Sequence, residues 1–267
     1  MQSNAMIGCQ PTRQVPRQVQ WVIIVFIYLL GVLAYSVFYQ DSMFLDGDSP
    51  WHLAAGDYIR SIGAIPTTDP WAYTNEGVRW YNYAWLYDVL ISFAHSLLGL
   101  KGLVALNVLI AAATPALLAR ICFSSGAGIL ATIISAGMAL IFLKTCVSLR
   151  PQQWSLLLMA FVLYWLYQYQ RQRKATVWLI PLAMLLLVNM HGSFLLVFVF
   201  LGAFWLEALF LKNWAEVKTL TLVGIASVAV TFINPSTYEI YYSSWLLITS
   251  VMGPYIQEWQ SASLSEN

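Results

Sequence analysis

Residues 83 to 99 read YAWLYDVLISFAHSLLG, a run apolar enough to enter a bilayer but carrying Asp88, Ser92 and His95. Whether this run crosses sets the side on which every later segment emerges. Outside it, apolar segments recur at roughly 20–38, 102–119, 127–147, 153–170, 176–190, 194–211 and 218–233. A helix needs about 20 mostly apolar residues to cross a bilayer, whereas a soluble core helix is shorter and amphipathic. With 60% hydrophobic and 9% charged residues, the chain reads as an all-α integral membrane protein. Its three cysteines, Cys9, Cys122 and Cys146, are scattered, which predicts neither a disulfide framework nor a zinc site.

Basic residues collect in cytoplasmic loops, so they assign sides. Arg13 and Arg17 precede the first segment and place the N-terminus in the cytoplasm. The next loop holds Asp41, Asp46, Asp48, Asp57, Asp69 and Glu76 against Arg60 and Arg79, as an extracytoplasmic loop would. Arg120, the cluster Arg171, Arg173 and Lys174, and the pair Lys212 and Lys218 then belong inside. That holds only if residues 83–99 do not cross. Asp88, Ser92 and His95 are spaced four and three, one polar stripe on a helix. Trp80, Tyr81, Tyr83, Trp85 and Tyr87 crowd its start, as interfacial aromatics do. The run is expected to be a juxtamembrane or re-entrant helix on the outer side. The predicted fold is about seven transmembrane helices plus extracytoplasmic juxtamembrane helices in a large first loop. Residues 1–19 form a cytoplasmic tail, 20–262 a single transmembrane module with its first outer loop at 40–101, and 263–267 a short tail.

Seven crossings put five polar signatures on one face: the 40–82 loop, Arg150 in SLRPQQW, His191 in VNMHGSF, Asn234 in FINPSTY and Glu258 in IQEW. Each alone is ordinary; together they predict one extracytoplasmic site. In DGDSPWHLAAGDYIRSIG, residues 46–63, Ser49 before Pro50 predicts a helix start. Trp51, Ala55, Tyr58 and Ile62 would form its apolar face on the membrane, with His52, Gly56 and Arg60 elsewhere. Asp46 and Asp48 either cap this helix or form a carboxylate pair able to take a proton from a hydroxyl or hold a divalent cation. Tryptophans and tyrosines at 71–85 either anchor the loop to headgroups or stack on sugar rings. Arg150 stands on the side that disfavours arginine, six residues after Lys144, and its fork suits a phosphate. The alternative is an interfacial arginine. His191, two residues after Asn189, either closes a hairpin turn or belongs to the site. Phosphate-loop, dinucleotide-fold, nucleophile-elbow and zinc-protease motifs are missing from the chain. Nothing in it points to a nucleic-acid partner.

The segments DGDSPWHLAAGDYIRSIGAIPTTDPW, LRPQQW, NMHGSF, INPSTYEIYYSSW and IQEWQSAS, in this order, resemble a bacterial family of polytopic proteins in the glycosyltransferase C superfamily. Distant relatives include the protein O-mannosyltransferases, the aminoarabinose transferase of lipid A and the oligosaccharyltransferase catalytic subunit. The resemblance covers about residues 20 to 262. It implies a multi-pass protein of the bacterial inner membrane with a cytoplasmic N-terminus, surrounded by membrane lipids. It also implies a sugar donor on a polyprenyl phosphate or diphosphate and an acidic catalytic base after the first span. Asp48 is the expected base and Asp46 the second carboxylate; these two would be the ligands of any metal. Arg150, Lys144 and His191 are expected at the phosphate, with His52, Asn234 and Glu258 as further substrate-binding residues. Superfamily members commonly continue beyond such a module, so another membrane subunit is an expected partner. Two rival classes share these residues: a transporter or flippase for a lipid-linked substrate, and a non-catalytic, truncated membrane partner. Inverted repeats would favour transport, and none is seen.

Overall fold

The computed structural model describes residues 16–39, 47–75, 77–143, 149–172 and 174–250. Among these the protein is helical and has no strand, only an isolated antiparallel bridge between Thr68 and Arg79. The α-helices are α1 (Arg17–Tyr39), α2 (Asp48–Ile62), α3 (Trp85–Ser124), α4 (Ile129–Leu143), α5 (Pro151–Gln172), α6 (Ile180–Met190), α7 (Leu195–Phe210), α8 (Trp214–Thr231) and α9 (Glu239–Ile248). Short 3-10 turns at Tyr73–Asn75, Ala175–Leu179 and Gly192–Phe194 join them.

Three helical stretches are long and apolar enough to cross a membrane: Trp85–Ser124, Gly192–Phe210 and Trp214–Thr231. That is fewer than seven. Shorter apolar stretches lie at Gln18–Tyr28, Ile129–Ala139 and Ala175–Met190. α5 is 22 residues long, but glutamines and tyrosines interrupt its apolar character. The outer surface is nonetheless greasy: Val22, Phe26, Leu109, Leu130, Val199 and Ile225 are all exposed. A perimeter this apolar suits lipid and not water.

The 83–99 run does form a helix, and it ends where the sequence places its end. Gly99 breaks α3, with φ 63° and ψ −170°. That backbone region is accessible essentially to glycine alone. Before the break, Trp85 to Leu98 measures about 20 Å at 1.5 Å per residue, short of a bilayer core of about 30 Å. After it, Leu100 to Ser124 is long enough to cross. Gly102 completes the turn, because a Cβ there would lie 2.0 Å from Cβ of Leu98.

α2 packs on the first part of α3, largely through the side opposite its expected membrane face. Ser49, Ala55, Gly56 and Ile59 are buried, whereas Trp51 and Ile62 are exposed. The polar stripe of α3 is the reason. Asp88 and Ser92 need partners, and the His52, Gly56, Arg60 side of α2 supplies them. Gly56 makes the approach close enough: a Cβ there would sit 2.0 Å from the Asp88 carbonyl oxygen. The helix also starts earlier than expected. Gly47 is the N-cap, and Asp48 enters the first turn, where a negative charge is favoured. Gly63, with φ 65°, ends the helix. Trp51 and Tyr58 meet Trp71 edge-on, and Trp71 and Trp51 meet Trp80, so the loop after α2 folds back on it.

The main core joins α5, α6, α7, α8 and α9 through residues such as Leu166, Met184, Leu187, Phe194, Val223 and Ile240. A second, smaller cluster holds Tyr87, Ile91, Leu103, Leu149 and Met190, with Leu53 packed against it. This cluster positions the site.

Candidate functional site

Four residues of the second cluster sit next in the chain to a polar group. Leu53 follows His52, Tyr87 precedes Asp88, Leu149 precedes Arg150, and Met190 precedes His191. Burying the four apolar side chains together therefore gathers four polar ones above them, from four separate elements.

Asp48 and Arg150 form an ion pair at 3.2 Å, with the Asp48 side chain 58% exposed and that of Arg150 18% exposed. Arg150 directly precedes α5, and Asp48 opens α2, so two helix N-termini meet at this pair. The first N–H groups of each helix add partial positive charge to the guanidinium.

A second acidic group, Asp88, acts on Tyr83 together with Asp48. Asp88 is 1% exposed, and its Oδ1 lies 2.7 Å from Nδ1 of His52. Its Oδ2 accepts from the Asn82 amide at 2.9 Å. The His52 ring meets Tyr87 edge-on at 5.2 Å. One helical turn on, the Arg60 guanidinium donates to Ser92 Oγ at 2.9 Å, and Ser92 donates to Asp57. Tyr83 feels both acids: crowding of its hydroxyl by protein atoms, then the charges of Asp48 and Asp88, raise its pKa above the usual tyrosine value.

His191 occupies the extended residue between α6 and the following 3-10 turn. Its Nδ1 accepts from the Ser193 backbone N–H at 3.2 Å and lies 2.8 Å from Ser193 Oγ. Burial, and secondarily the charge of nearby His52, lower its pKa to about 4. Beside it, Asn189 accepts from the Trp85 indole at 2.8 Å and donates to the Ile233 carbonyl at 2.9 Å. Asn189 thus ties the start of α3 and the end of α8 to the end of α6.

A cavity of about 400 Å³ opens next to this cluster, lined by Arg79, Trp80, Tyr81, Tyr83, Gly192 and Ser243, among others. Arg79 pairs with Glu239 across its edge, joining the first loop to α9.

Of the residues expected at the site, Asp48 pairs with Arg150, and Arg150, His52 and His191 each adjoin a residue of the second core cluster. Asn234 spends its side chain on its own turn, donating to the carbonyls of Thr231 and Thr237 and accepting from the Ser236 N–H at 2.8 Å. Asp46, Lys144 and Glu258 lie outside the described residues. Among the described residues no group of three His, Cys, Asp or Glu side chains is arranged to hold a metal ion. Sequence reasoning did not place Asp88, Asn82, Tyr83 or the Arg79–Glu239 pair at the site. Asp88 carried a signal: the polar residues at 88 and 92 share the four-residue spacing of 52, 56 and 60.

No family model, curated protein or solved structure matches this chain.

Proposed function

We propose that the chain is a multi-pass protein of the bacterial inner membrane, with seven crossings and a cytoplasmic N-terminus, belonging to the glycosyltransferase C superfamily. On this reading it transfers a sugar from a polyprenyl-phosphate-linked donor to an acceptor on the extracytoplasmic side. The supporting observation is the Asp48–Arg150 pair, an acid of the first loop set against a cation where two helix N-termini converge. The donor's phosphodiester fits the guanidinium fork with two anionic oxygens, whereas Asp48 is more than half exposed and easily drawn into water, so an arriving lipid phosphate displaces Asp48 from Arg150. The displaced carboxylate, with Asp46, then orients the acceptor hydroxyl. As the bond to phosphate breaks, Arg150 faces the new charge, a placement worth roughly 2 to 4 kcal/mol by analogy with oxyanion donors. The 400 Å³ cavity offers a sugar aromatic faces from Trp80 and Tyr81 and hydroxyl partners such as Ser243. Lys144 and Glu258 are further proposed donor contacts, and Asp46 with Asp48 would be the carboxylates for a divalent cation.

The test is mass spectrometry of lipid co-purified with the protein, together with its retention in two variants. A polyprenyl phosphate sugar is expected. Arg150→Lys should weaken its retention by about 1 to 3 kcal/mol, roughly five- to 150-fold in affinity. Only bulk phospholipid in the wild type, or wild-type retention in both Arg150→Lys and Arg150→Ala, sinks the proposal.

A further inference from the structure

His52 and His191 adjoin the second core cluster through their chain neighbours Leu53 and Met190, and their hydrogen bonds assign opposite tautomers. The Asp88 carboxylate has one oxygen on the Asn82 amide and the other on Nδ1 of His52, and it has no proton to give when ionised. The proton in the His52–Asp88 bond is then the Nδ1–H of His52. That leaves Nε2 of a neutral His52 as a lone pair, the opposite of the tautomer free histidine prefers in water. His191 is the reverse case. A backbone N–H can only donate, so Nδ1 of His191 is an acceptor and its single proton sits on Nε2. The lowered pKa of His191 agrees with a ring kept neutral beside His52.

We propose that His52 and His191 act as a complementary pair in the transfer reaction: His52, oriented by Asp88, takes the proton of the acceptor hydroxyl at Nε2, and His191 presents its Nε2–H to the leaving phosphate. This rests on the glycosyl-transfer reading. The hydroxyl oxygen bonds to the anomeric carbon, and the bond from that carbon to the phosphate oxygen breaks. Its electron pair stays on the phosphate, and the hydroxyl proton goes to Nε2 of His52. The imidazolium so formed faces the Asp88 carboxylate and returns its proton to water after the product leaves. His191 keeps its own proton and only hydrogen-bonds. Asp88 is a positioning residue, since it acts through His52. A base of this kind contributes about 10² to 10⁴ in rate. Asp48 keeps its separate task, exchanging with phosphate on Arg150 and then orienting the acceptor hydroxyl whose proton His52 takes.

The chain has three histidines, so nitrogen-15 NMR of histidine-labelled full-length protein in nanodiscs resolves the matter, with His95→Gln and His52→Gln assigning the signals. At pH 7.5 the expected result is His52 protonated at Nδ1 alone and His191 at Nε2 alone. Equal tautomers, or a His52 protonated at Nε2 or at both nitrogens, overturns the pair. Asp88→Asn should shift His52 toward the Nε2–H form while His191 holds its signal; a His52 tautomer indifferent to Asp88 also overturns it. Should Asp88→Asn not fold, the wild-type spectrum alone decides. Adding farnesyl phosphate, which has the lipid phosphate but no sugar, should move the Nε2–H resonance of His191. Opposite tautomers with no response to farnesyl phosphate would remove the phosphate-transfer reading and the role of His191 with it. Equal tautomers with a response would remove the imidazole pair and leave that reading standing.

Discussion

At the scale of single residues, His191 makes a thermodynamic prediction of its own. Its pKa is near 4 in the fold and about 6.5 in an unfolded chain. Above pH 6.5 both states hold a neutral ring, and stability is unaffected. As pH falls from 6.5 toward 4 the unfolded state takes up the proton first, so the fold loses stability, by at most about 3 kcal/mol. Below pH 4 both states are protonated and the loss levels off. Thermal unfolding in detergent, compared between wild type and His191→Gln across this range, should show wild type falling relative to the variant as the pH is lowered. Parallel curves would mean that the ring is not held neutral in the fold. The residues themselves advertised half of this. A histidine interrupting an apolar run is visible in VNMHGSF, but the Ser193 N–H that fixes its tautomer depends on the backbone turn. Asp88 was visible too, as an acid in a greasy helix; its partner His52 lies 36 positions away and no local rule names it.

At the scale of elements, two glycines hold α2 and the first part of α3 in place. Gly56→Ala would drive a methyl into the Asp88 carbonyl, forcing the helices apart. Overpacking of this sort costs about 1 to 3 kcal/mol, and the His52–Asp88 contact should be the first loss, seen as a changed His52 signal by NMR. Wild-type stability and an unmoved His52 signal in Gly56→Ala would contradict the packing. Gly99→Ala places a side chain where φ is positive and ψ is near 180°, a strain of about 1 to 3 kcal/mol. It should lower thermal stability in detergent by that amount, or straighten α3 at the cost of its contact with α2. No change would mean that the break tolerates any residue. The elements were largely readable in advance: the expected segments and the observed helices agree to within a few residues, because apolar length and Gly or Pro punctuation are local properties. The buried face of α2 was not. The sequence marked Trp51, Ala55, Tyr58 and Ile62 as a membrane face, but the packing of Ser49, Gly56 and Ile59 on α3 goes with the pairing of His52 and Arg60 to Asp88 and Ser92, partners 36 and 32 positions away.

At the scale of the whole molecule, the contacts sort into two ends. Asp48 with Arg150, Trp85 with Asn189 and Arg79 with Glu239 share one end of the helices. Trp21 stacks near Phe123 and under Arg120, bringing the start of α1 to the end of α3. If the first end is extracytoplasmic, a cysteine replacing Tyr73, which is 91% exposed, should react with an impermeant thiol reagent from outside. A cysteine at Gln172, beside the basic cluster, should react only after the membrane is opened. Both variants need Cys9, Cys122 and Cys146 replaced first. Labelling of both positions from outside would mean that residues 83–99 cross and that the charge bias is broken. By itself the sequence determined the helical, apolar character of the chain, its breaks, and where polar residues interrupt its apolar runs, because composition and periodicity act over a few residues at a time. Which of those polar residues meet was decided only by tertiary structure. Leu53, Tyr87, Leu149 and Met190 bury one another from four distant elements, and the hydrophobic gain of that burial, which follows area and not chain order, brings His52, Asp88, Arg150 and His191 together.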